Sequence, residues 1–202
     1  AALPLSGSKD KQLLLGLQLT HQSRVGNGGN ADASKAYVRA GYQSNIISSR
    51  AGIKLKATTL TINYTRITAD GRFLFPREWG RDPFYTFLVR ERNEGLGNVH
   101  AWVLSAQHQP AGKNWQTMAG AGLYRLPRST DFALNKYGMP SYYHLVADVR
   151  YRFKGFLKGT SVRLIYLYKG NMEENISSKR TIINRVQMHH LNFIIDYWFG
   201  KE

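Results

Sequence analysis

The sequence predicts an all-β fold, an antiparallel transmembrane β-barrel, on three observations. Strand-length segments carry apolar residues at every second position, aromatics cluster at the ends of those apolar stripes, and short connections alternate with long ones. The stripe in QMHHLNFIIDYWF at 187–199 is the plainest, with Leu191, Phe193, Ile195, Tyr197 and Phe199 on one parity. Neighbouring side chains on a strand point to opposite faces, so such a row makes one continuous apolar face.

Segments of about 10 residues, the length of a tilted strand crossing a bilayer, fall at 11–22, 46–56, 59–68, 98–108, 115–125, 142–153, 160–169 and 187–199. In 46–56 one parity carries Arg50, Lys54 and Lys56. In 142–153 Tyr143, Leu145, Ala147, Val149, Tyr151 and Phe153 face one way, whereas His144, Asp148, Arg150, Arg152 and Lys154 face the other. In 160–169 Val162 and Leu164 are followed on the same parity by Tyr166 and Tyr168, opposite Arg163 and Lys169. These read as eight strands, each with one face for hydrocarbon and one for water. The connections at 57–58, 109–114 and 155–159 are short, and those at 23–45, 69–97, 126–141 and 170–186 are long. Outer-membrane barrels have short periplasmic turns and long outer loops, so both termini are expected on the periplasmic side. The alternating stretch KAYVRAGYQ at 35–43 would break that order as a strand and is expected as a hairpin inside an outer loop.

Composition fits this reading. The chain has 202 residues without a low-complexity tract, which predicts a single domain spanning 1–202. No apolar run is long enough for a transmembrane helix, and no charged-then-apolar signal opens the chain. The absence of cysteine excludes a disulfide framework and thiolate metal sites. A mean hydropathy of -0.39 is what a barrel gives when only alternate strand residues face lipid. A soluble barrel also alternates, but the parity opposite the apolar stripes is too rich in cations for a packed interior. The net charge of +15 calls for nucleic acid, an anionic membrane surface or a channel for anionic solutes.

The stretch DGRFLFPREWGRDPFYTFLVRERNEG at 70–95 closely resembles the signature region of the OprD-type outer-membrane porins, with their REWGRDP and RERNEG blocks. FKGFLKGTSVRLIYLYKGN at 153–171 is similar to that family's penultimate hairpin, and the aromatic last strand agrees. The likeness covers most of the chain and corresponds to the C-terminal half of a family member. It implies part of a larger barrel in a Gram-negative outer membrane, serving as a passive channel for small nutrients, often carboxylates or amino acids. It also implies a lumenal ladder of basic side chains that guides the carboxylate. One departure is that Gly200, Lys201 and Glu202 follow the final aromatic.

The ladder candidates on the predicted lumen parity and in adjoining loops are Arg39, Arg50, Lys54, Lys56, Arg150, Arg152, Lys154, Arg163 and Lys169. Any one of them could instead meet lipid headgroups or lipopolysaccharide phosphate. In the 70–95 loop, Arg72, Arg77, Arg81, Arg90 and Arg92 balance Asp70, Glu78, Asp82, Glu91 and Glu94. Planar Arg–carboxylate pairing would hold the loop folded, while Phe73, Phe75, Trp79, Phe84, Tyr85 and Phe87 pack it against the wall. The functional version leaves one or two of Arg77, Arg81, Arg90 and Arg92 unpaired at a constriction that meets solute.

Other chemistry is poorly represented. Adjacent His189 and His190 face opposite ways and cannot share a metal, so no metal or other cofactor is expected. No GxSxG-like nucleophile motif appears, and an enzyme is not expected. RNP-type aromatics are missing, which argues against nucleic acid, and GNGGN at 26–30 lacks the Lys-Ser or Lys-Thr of a phosphate loop. The expected partners are outer-membrane lipid, lipopolysaccharide and small anionic or zwitterionic solutes. The competing class is a non-conducting structural or interaction barrel plugged by its own charged side chains.

Overall fold

The computed structural model describes residues 2–5, 8–75, 81–173 and 186–199. Its strands are β1 (Ala2–Leu5), β2 (Ser8–Ser23), β3 (Gln43–Leu55), β4 (Thr58–Ile67), β5 (Val99–His108), β6 (Trp115–Arg125), β7 (Tyr142–Arg152), β8 (Thr160–Asn171) and β9 (Met188–Tyr197). They form a nine-stranded sheet in simple sequence order, each strand antiparallel to the next, with β1 and β9 at the ends of the order. All eight expected strands are present, within a few residues of their expected bounds. The ninth, β1, was hidden because ALPL is too short to show a period. Its Pro4 has no N–H to give a ladder, which suits a strand at the end of the order.

The 35–43 stretch is not a hairpin. A 3₁₀ turn at Ala33–Lys35 leads through bends to β3, which begins only at Gln43. Short and long connections do alternate: Lys56 and Ala57 join β3 to β4, whereas 68–98 join β4 to β5.

Register decides which parity is outside. One rung runs Leu15, Ala51, Ile62, Leu104, Ala121 and Leu145 across β2 to β7. On this face Ile62 is 59% exposed, Leu104 61% and Phe193 on β9 65%. Leaving one such side chain in water forfeits about 1.5–3 kcal/mol, so a continuous belt of them belongs in hydrocarbon. Aromatics border the belt at both ends. Tyr64, Trp102, Tyr143 and Tyr168 gather towards the long loops, with Tyr64 and Trp102 ring centroids 5.4 Å apart. Trp115, Tyr151, Phe153 and Tyr197 lie towards the short turns, where Tyr151 and Phe153 meet edge to face at 5.1 Å.

The other face is covered from within. Ile46, Ile67, Val99, Val103, Tyr124, Val146, Ile165 and Leu167 on the strands are buried against Phe73, Phe84, Leu88 and Leu96 of the β4–β5 loop. The core therefore sits between the inner wall and a loop folded onto it.

Candidate functional site: a loop-lined lumen

The β4–β5 loop folds onto the inward face of the sheet on backbone pairing that its own sequence supplies. Phe73 N–H donates to Leu96 O at 2.8 Å and Gly95 N–H to Phe73 O at 2.7 Å, which ties its two limbs together. Gln22 of β2 acts as one more rung. Its Nε2 donates to Leu74 O at 2.7 Å and its Oε1 accepts from Leu74 N at 3.0 Å.

From residue 81 onward the loop lies on a row of wall hydroxyls. Tyr85 N–H donates to Ser48 Oγ at 3.0 Å, and Ser48 Oγ lies 2.9 Å from Thr65 Oγ1. Thr65 also accepts from Thr86 Oγ1 at 2.8 Å, and Tyr124 OH donates to Thr86 O at 2.8 Å. The wall leaves room for this contact at two inward glycines. A Cβ on Gly16 would stand 2.7 Å from the Tyr85 ring, and one on Gly120 would stand 2.9 Å from Leu88 Cδ2. Both are closer than a side chain tolerates, so those positions keep the loop seated.

The loop's charges are handled unevenly. Arg92 donates to Glu94 at 2.9 Å, and Glu94 also receives Lys136 at 3.3 Å and Tyr137 OH at 2.5 Å. Burial pushes the Glu94 carboxyl up, but Tyr137, Lys136 and Arg92 together hold it below its usual range. Asp82 is raised by burial even though its carboxylate accepts Asn93 N–H at 2.5 Å. Glu91 is raised well above its usual range, first by burial and then by the nearby Asp82, with Lys169 opposing. Among the described residues neither Glu91 oxygen has a hydrogen-bond partner.

Arg81 and Arg90 are exposed and, among the described residues, have no carboxylate within 4.0 Å. Arg81 lies over the Phe87 ring at 5.8 Å, and Arg90 reaches His190 Nε2 at 3.4 Å. The loop is thus held by hydroxyls, aromatics and backbone pairing, with Arg92–Glu94 as the ion pair within it. The wider Arg–carboxylate network expected from its neutral composition is absent among the described residues. Arg77, Glu78 and Trp79 lie outside them.

The wall cations lie on the inward parity. Arg50 donates its Nε to Asn63 Oδ1 at 2.7 Å and covers the Tyr85 ring at 4.6 Å. Arg150 stands directly across from Arg163 in the β7–β8 register. Arg163 grips Asp148 in a fork, its Nε 2.9 and 3.0 Å from the two carboxylate oxygens and a terminal nitrogen closing on Oδ2. A small cavity of about 120 Å³ opens beside them, lined by Gln116, Thr117, Met118, Asp148, Arg150 and Arg163. Lys54 and Arg152 sit at the turn ends of β3 and β7. Lys169 is buried, donates to Arg90 O and lies 4.8 Å above the Tyr142 ring.

No family model and no curated protein matches the sequence. The structure is similar to three solved proteins of Pseudomonas aeruginosa. OccK5 (OpdH) is 13% identical over 97% of this chain and 47% of its own, with a TM-score of 0.67. OpdK with vanillate is 12% identical over 97% of this chain and 46% of its own, at 0.65. OccK10 (OpdN) is 12% identical over 96% of this chain and 50% of its own, at 0.66. The fold is the one these solved proteins share, an antiparallel β-barrel wall. The chain spans about half the length of these porins.

Within this fold the expected site residues divide by place. Arg81, Arg90 and Arg92 come in with the loop, Arg50 meets the loop through Tyr85, and Arg150, Arg152, Arg163 and Lys54 stand nearer the short turns. Lys56 and Lys154 fall in turns and Arg39 in the long β2–β3 connection, so these three lie off the inward strand face. The reading from sequence missed the Asp148–Arg163 fork, because a diagonal pair across strands needs the register. It also missed the Ser48–Thr65–Thr86 anchor. Small polar residues on the inward parity of β3 and β4, opposite bulky outward ones, were the signal available for it.

Proposed function

We propose that this chain forms part of the wall and the inward loop of an outer-membrane porin of a Gram-negative bacterium. It would admit small hydrophilic solutes by passive diffusion and favour anionic or carboxylate-bearing ones. The observation that carries the reading is the charge imbalance of the inward face. Asp148 is taken up by Arg163, Glu94 by Arg92 and Lys136, and Glu91 is buried. Arg81 and Arg90 on the loop and Arg50, Lys54, Arg150 and Arg152 on the wall keep their positive charge without a carboxylate in reach among the described residues. A water-filled passage between low-dielectric walls focuses such a field and concentrates anions within it. Arginine adds a planar fork for carboxylate. OpdK, one of the similar porins, was solved with vanillate, a small aromatic carboxylate.

Liposome swelling tests the reading with solutes matched in size. Vesicles carrying the native protein should swell faster in a carboxylate than in a neutral or cationic solute. Equal rates for all three, or no swelling above empty vesicles, would contradict it.

A further inference from the structure

The short connection between β7 and β8 carries a surface that diffusion through the lumen does not use. Its 3₁₀ turn, Gly155–Leu157, presents Phe156 at 101% exposure, with Leu157 exposed beside it. Trp198 and Phe199 at the end of β9 are exposed next to it. Trp198 N–H donates to Gly159 O at 3.0 Å, which ties the chain beyond β9 to this turn. These apolar side chains continue the lower aromatic girdle of Tyr151, Phe153 and Tyr197, so they lie at the depth of the periplasmic headgroups. A cavity of about 920 Å³ opens at this rim. Ile195, Tyr197, Trp198 and Phe153 line it together with Lys154 and Lys158 of the turn and Arg152 at the strand end. Asp196 is the one carboxylate among the described lining residues and is approached by Ser161 Oγ at 3.5 Å.

We propose that this rim binds an anionic glycerophospholipid of the inner leaflet. Lys154 and Lys158 meet the headgroup phosphate, Trp198 and Tyr197 flank the glycerol region, and Phe156 and Leu157 enter the acyl boundary. An apolar tip with flanking lysines suits a lipid because it offers hydrocarbon contact and phosphate contact at one depth. The site depends on the barrel's orientation in the membrane and not on conduction, so its failure and the failure of the porin reading are separable.

Native mass spectrometry of the detergent-purified protein tests it, with phosphatidylglycerol or phosphatidylcholine added at equal concentration. The protein should retain phosphatidylglycerol preferentially. K154Q/K158Q should lose that preference, on the order of fivefold per lysine and about 25-fold for both. Phe156→Ser should lower retention of both lipids while leaving the ratio in place. Heat-modifiable gel mobility and circular dichroism confirm that each variant is folded, and liposome swelling should be unchanged. Equal retention of the two lipids by the parent would overturn the proposal. A preference surviving K154Q/K158Q, or inorganic phosphate displacing phosphatidylglycerol at equimolar concentration, would do the same.

Discussion

Leu104→Arg probes the outward parity where the structure makes it most costly. Leu104 is the sixth of ten residues in β5, is 61% exposed, and lies between Ile62 and Ala121 in the register. At about 3.3 Å per residue and a tilt of about 40°, each residue spans roughly 2.5 Å of depth, which puts Leu104 about 10–13 Å from either strand end. That is the midplane of an apolar band about 25 Å tall, where arginine on the lipid face costs about 2–4 kcal/mol. The last residue of β9, Tyr197, lies at the interface, and Tyr197→Arg should cost about 0–1 kcal/mol. Asn192, mid-strand but inward between Leu191 and Phe193, should accept arginine with little loss. Reversible guanidinium unfolding in phosphocholine vesicles, followed by tryptophan fluorescence, gives all three values. Comparable losses at Leu104 and Asn192 would refute the assignment of parity, and a Tyr197 loss as large as that at Leu104 would refute the assigned depth.

Three further outcomes follow from the lumen. Thr65→Val removes the oxygen that accepts Thr86 Oγ1 and meets Ser48 Oγ; undocking should become about 1–3 kcal/mol easier, seen as faster proteolysis within 81–94. Glu91 has its pKa raised in the folded loop by burial, so the docked state binds more protons than the free loop. Docking is therefore strongest below the ordinary glutamate range and weakens as pH rises from there towards the raised value. Protection of 81–94, taken relative to the intrinsic exchange rate at each pH, should fall as pH rises from the ordinary glutamate range, and Glu91→Gln should abolish that fall; an unchanged slope would sink the argument. Asp148→Asn releases Arg163 from its fork, so anion preference measured from reversal potentials should increase.

Much of the fold was legible because alternation is a local property. The eight strands and their faces follow from parity within each segment, as in β7, where Leu145 and Arg150 could be assigned before any pairing was known. What the sequence withheld depends on register and on the loop's path. Arg163 and Asp148 lie 15 residues apart and meet only because β7 and β8 pair with Arg150 opposite Arg163. A neutral loop suggested internal ion pairs, yet Ser48, Thr65 and Tyr124 hold it through hydroxyls, and Gly16 and Gly120 admit it by lacking a side chain. The short β1 was invisible because four residues carry too little pattern.

The central claim is that the inward cations face permeating solute. Neutralising Arg150, Arg152 and Arg163 together to glutamine, in the native protein reconstituted in planar bilayers, tests it most directly. The protein should still insert and conduct, because inward substitutions tune selectivity more than they weaken the barrel. The reversal potential in a salt gradient should move from anion preference towards neutrality or beyond. A conducting channel whose anion-to-cation permeability ratio is unchanged by the triple substitution would contradict the account.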